Sequence, residues 1–68
     1  MLTLNERTYL MDILKKYFPE RTGDDLYELT GAFTTGQRAR FLALYFKKDH
    51  SEAKEMANQI LSFQTRLL

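Results

Sequence analysis

The sequence predicts an all-α protein, a compact bundle of four short helices, and three observations carry that expectation. Apolar residues recur at helical spacing in four separate segments. Capping patterns, Thr followed three residues later by Glu or Gln, stand before two of those segments. Strand signals are missing, because the 68 residues contain no valine and no sustained apolar–polar alternation.

The first helix is expected over about 4–18. Thr3 and Glu6 form a capping box, in which each side chain satisfies a free backbone N–H of the other. Pro19 ends the helix by pushing the residue before it out of the helical region. Its apolar residues are Leu4, Tyr9, Leu10, Met11, Ile13, Leu14, Tyr17 and Phe18. They spread over more than half the circumference, wider than one buried face.

Arg21, Thr22 and Gly23 form a turn, and a second helix follows over about 24–33. Asp24 and Asp25 sit in its first turn, where negative charge complements the helix dipole. Leu26, Leu29 and Phe33 give it one narrow apolar stripe. Thr34 and Gln37 make the second capping box and open the third helix, about 36–48. There Ala39, Phe41, Leu42, Ala43, Leu44, Tyr45 and Phe46 point nearly all round, which places this helix at the centre of the bundle or in an interface. Lys47 and Lys48 close it with positive charge near the last carbonyls.

Asp49, His50 and Ser51 make the last connection, with Asp49 or Ser51 as cap of a fourth helix, about 51–66. This is the cleanest amphipathic segment. Ala53, Met56, Ala57, Ile60, Leu61, Phe63, Leu67 and Leu68 share one side. Lys54, Glu55, Asn58, Gln59, Ser62 and Arg66 share the other. The expected core is Leu10, Leu14, Leu29, Phe33, Phe41, Leu42, Tyr45, Ile60 and Leu67, in one helical domain spanning 1–68.

Composition bounds the rest. A 44% apolar, 13% aromatic chain has the means to pack a core, unlike a disordered one. Small domains bury a modest share of their surface and need some reinforcement. The absence of cysteine removes disulfides and thiolate metal sites, which leaves dense aromatic packing or self-association. A net charge of +1 argues against a partner whose many phosphates must be neutralised. The longest apolar run, Phe41 to Phe46, is far short of the roughly 20 residues a bilayer span takes. With no secretory pattern at the N-terminus either, a cytoplasmic location and no membrane partner are expected.

The residues offer little to catalysis. His50 is the only histidine, and the consecutive Asp49, His50 and Ser51 cannot all aim at one reacting atom. Asp24, Asp25 and Glu28 lack the ligand rhythm of a calcium loop. Gly23, Gly31 and Gly36 fit neither phosphate-binding glycine pattern. The expectation is a protein with no catalytic residue, metal site or cofactor, and so not an enzyme.

Two surfaces point to binding. The over-wide arc of the first helix (Tyr9, Met11, Phe18) suits a protein contact. Tyr9, Tyr17, Tyr27 and Tyr45 suit interface edges, having an apolar ring and a polar tip. The function expected is therefore a non-enzymatic adaptor or regulatory module binding a protein partner, a second copy of itself (a homodimer) included. The alternative is a small DNA-binding regulator. From Leu29 to Lys48 the chain carries no acid but has Arg38, Arg40, Lys47 and Lys48. Arg40 and Lys47 are seven apart with Ala43 between them, which puts both on one stripe of the third helix, able to meet phosphates.

Gln37 to Ile60 resembles the first two helices of helix-turn-helix regulators: an apolar helix, a polar turn, then a Ser-initiated helix with the pair Met56–Ala57. Leu2 to Arg7 adds a further similarity. In that motif a glycine-bearing turn and a recognition helix would follow Ala57. Here Asn58 to Phe63 continue the amphipathic pattern without a break.

Overall fold

A computed structural model describes residues 3–66, with side chains through residue 63. Four α-helices follow in order: α1 (Leu4–Tyr17), α2 (Gly23–Ala32), α3 (Thr35–Phe46) and α4 (His50–Arg66). No strand occurs among the described residues, so the all-α expectation is borne out and every helix end falls within two residues of its expected place. None of these helices is long and apolar enough to cross a membrane.

Local chemistry starts each helix. Thr3 and Glu6 close the capping box of α1, and Thr34 and Gln37 close that of α3. The Thr22 carbonyl accepts the first helical bond of α2, and its Oγ1 accepts from the Asp25 N–H at 3.1 Å. Thr22 is thus the cap of α2 rather than part of a plain turn. Asp49 caps α4: its Oδ1 takes the Glu52 N–H at 3.4 Å and its carbonyl the Ala53 N–H at 3.0 Å. Helix α1 ends at Tyr17, with Phe18 as C-cap before Pro19.

The chain divides into two units. In the first, α2 packs on α1; in the second, from Phe33 onward, α4 packs on α3. Buried in the first unit are Leu10, Ile13, Leu14, Phe18, Leu26, Leu29 and Thr30. Buried in the second are Phe33, Phe41, Ala53, Ala57 and Leu61. Of the expected core, Leu42, Tyr45 and Ile60 are half-buried and Leu67 lies outside the described residues.

Burial on α3 is one-sided. Only Phe41 on that helix is buried, while Ala39, Ala43 and Phe46 on its far side are exposed. Apolar residues all round a helix show that each side can be buried; they do not create a neighbour on each side.

Between α3 and α4 the chain turns through Lys48, which has φ 63°, the only positive value outside glycine among the described residues. The Asp49 N–H returns to the Leu44 carbonyl at 2.9 Å and the Lys48 N–H to the Tyr45 carbonyl at 3.0 Å. This is a Schellman ending, whose left-handed position favours glycine because a Cβ crowds the carbonyl there. Lys48→Gly is expected to stabilise the protein by about 1 kcal/mol, roughly a 4–8 °C rise in Tm for a domain of this size. An unchanged or lower Tm in a thermal melt followed by circular dichroism would refute the left-handed turn.

Candidate functional site

The arc expected on the first helix does not form one surface. Tyr9 is 47% exposed, Met11 half-buried and Phe18 only 4% exposed. Phe18 is therefore withdrawn from the candidate contact: as the C-cap it leaves the helical path and its ring is covered. Tyr9 and Met11 are two positions apart, about 200° of rotation, and two such residues do not face the same way.

What the first unit holds instead is a clamp built on Arg7. Its Nε donates to Thr30 Oγ1 at 2.8 Å and its Nη2 to the Tyr27 carbonyl at 2.9 Å. The guanidinium lies over the Tyr27 ring, with Cζ 3.8 Å from the centroid. Thr30 Oγ1 donates in turn to the Tyr27 carbonyl, so the one buried polar side chain among the described residues both accepts and donates. Gly31 makes room for this: a Cβ there would sit 2.8 Å from Arg7 Nη2. Sequence reasoning passed over Arg7, Thr30 and Gly31. The available signal was a threonine in the stripe of Leu26, Leu29 and Phe33, matched by an arginine in the stripe of Leu10 and Leu14. Of the four tyrosines, Tyr27 has one ring face under Arg7, Tyr17 and Tyr45 are half-buried, and Tyr45 meets Phe46 and His50 edge-on.

The four cations expected to meet phosphates, Arg38, Arg40, Lys47 and Lys48, do not gather. Arg40 and Lys47 share an exposed row of α3, as their spacing requires. Arg38, two residues from Arg40, points away from that row and is half-buried; Lys48 sits in the turn. Arg40 also shares a groove with acids. It lines a groove of about 240 Å³ with Leu44 from α3 and Glu52, Glu55, Met56 and Gln59 from α4. That Arg40 shares a groove with Glu52 and Glu55 is not visible in the sequence, because they come from different helices. Helix α4 runs unbroken to Arg66, so no separate helix follows Ala57 within the described residues.

On the other flank of α3, Ala39, Leu42, Ala43 and Phe46 recur at helical spacing. The alanines are exposed, Leu42 is half-buried and Phe46 is 63% exposed. On α4, Phe63 is 65% exposed. His50 opens α4, exposed, with its ring 5.7 Å from that of Tyr45. Asp24, Asp25 and Glu28 are exposed on α2, and no group of three or more potential metal ligands occurs among the described residues. Neither the models of known protein families, nor curated proteins, nor solved structures yield a match to this chain.

Proposed function

We propose that the protein is a non-enzymatic helical module that works by binding another protein. The observation that carries this reading is the display of large apolar side chains on the α3–α4 unit, Phe46 and Phe63 above all. Exposed aromatic rings of this size are typical anchors of protein interfaces, where few residues supply most of the affinity. The DNA-binding alternative loses support from the same unit. Arg40 lines a groove together with two glutamates, and Arg38 lies off the row, so phosphates would meet a mixed field.

Photo-crosslinking tests the reading. A benzophenone side chain placed at position 46 or 63 in the cell is expected to give discrete protein adducts, while one at the exposed, polar Asn58 gives none. Equal labelling at all three positions would overturn it. So would tight binding to a mixed-sequence DNA duplex that weakens steeply with salt and disappears on changing Arg40 and Lys47 to Gln.

A further inference from the structure

We propose that the partner is a second copy of this chain, docked on the groove face of the α3–α4 unit so that each copy's α3 lies over the other's α4. The inference rests on the protein-binding reading at Phe63 and narrows it to one occupant there; Phe46, on the other flank of α3, is outside this face. Its basis is the charge layout of a single face. The α3 rim of the groove carries exposed Arg40, and Lys47 continues that row seven residues on; α3 has no acid at all. The α4 rim carries exposed Glu52 and Glu55. Leu44 and Met56, half-buried, line the groove between the rims. Phe63, seven residues beyond Met56, extends the apolar row of α4.

A face with one basic and one acidic rim is complementary to itself. Place a two-fold axis along the groove, and each copy's basic rim meets the other's acidic rim, twice over. The same operation sets Leu44 against the other copy's Met56, so apolar surface is buried where the charges pair. The rims then fix orientation and speed encounter, and Leu44, Met56 and Phe63 add apolar contact between them. The competing self-pairing, α3 on α3 through Ala39, Leu42, Ala43 and Phe46, sets the Arg40–Lys47 rows beside each other with like charge. Such juxtapositions are costly, and that face is the poorer choice for a second copy.

The test uses the full chain and two charge-reversed variants in sedimentation equilibrium. Arg40→Glu with Lys47→Glu makes both rims acidic; Glu52→Lys with Glu55→Lys makes both rims basic. The unaltered chain is expected to dimerise with rising concentration, more weakly at high salt. Each variant alone is expected to self-associate at least about tenfold more weakly, a like-charge effect. An equimolar mixture of the two is expected to recover the dimer, with one chain of each kind by native mass spectrometry. Recovery on mixing also shows that both variants are folded, which circular dichroism checks independently. An unaltered chain that stays monomeric up to millimolar concentration overturns the proposal, as does a dimer that both variants retain or a mixture that stays monomeric. A monomeric chain that still gives protein adducts at position 46 or 63 refutes the second copy while leaving the protein-binding reading in place.

Discussion

Replacing Phe41 with alanine lowers stability by about 3–5 kcal/mol, the cost of a large buried ring and the cavity it leaves. Phe41 has no exposed surface, and its ring meets that of Phe33 edge-on, with centroids 5.4 Å apart. An aromatic pair of this kind adds about 1 kcal/mol beyond its buried area. A chain of this length holds only some 3–10 kcal/mol in total, so the variant loses from about a third to all of its stability. Phe46→Ala is the matched control. It lies five residues on in the same helix, is 63% exposed, and is expected to change stability by less than about 0.5 kcal/mol. Urea titrations followed by circular dichroism read both. Similar losses at the two positions would mean that α3 buries a different side from the one described.

That pair also shows where the sequence stopped being informative. Capping is local chemistry between residues three apart, and both expected capping boxes are present, Thr3 with Glu6 and Thr34 with Gln37. Helix ends followed for the same reason. Burial depends instead on what lies across from a helix, and α3 offers apolar residues on every side. Nothing in its own twelve residues ranks Phe41 above Phe46. The small residues were misjudged too. Ala53 and Ala57 are fully buried, because a helix packed closely on its neighbour needs small side chains at the contact. They stood in the apolar row of the fourth helix but not in the expected core.

The site followed the same division. The Arg40–Lys47 row was legible, since a spacing of seven puts two residues on one stripe of any helix. The separation of Arg38 from that row follows from the same geometry. That Glu52 and Glu55 line the groove with Arg40 was not legible, because it depends on how α4 returns along α3. The arc of Tyr9, Met11 and Phe18 failed on geometry the sequence did contain for the first two residues. It failed for Phe18 because that ring is buried where the chain turns out of α1.

Arg7→Ala is expected to cost about 2–3 kcal/mol. The loss comprises two charge-assisted hydrogen bonds, each worth about 1.5–3 kcal/mol when shielded and less here because Arg7 is only half-buried, and a cation–π contact of about 0.5–1 kcal/mol. Arg7→Lys recovers little, since an ammonium cannot present the planar fork that reaches Thr30 Oγ1 and the Tyr27 carbonyl together while stacking on the ring. A simple surface charge would behave otherwise: lysine would substitute freely and alanine would cost a few tenths. Gly31 supplies the sharper check. Glycine inside a helix is worse than alanine by about 1 kcal/mol, so Gly31→Ala gains that amount wherever space allows. With Arg7 in place the new methyl sits 2.8 Å from Nη2 and the guanidinium must shift, which strains its hydrogen bonds. The substitution is therefore expected to stabilise the Arg7→Ala protein by about 1 kcal/mol and to be neutral or harmful beside arginine. If Gly31→Ala stabilises both backgrounds equally, Arg7 is not held across α2, and the link between the first two helices rests on their apolar stripes alone.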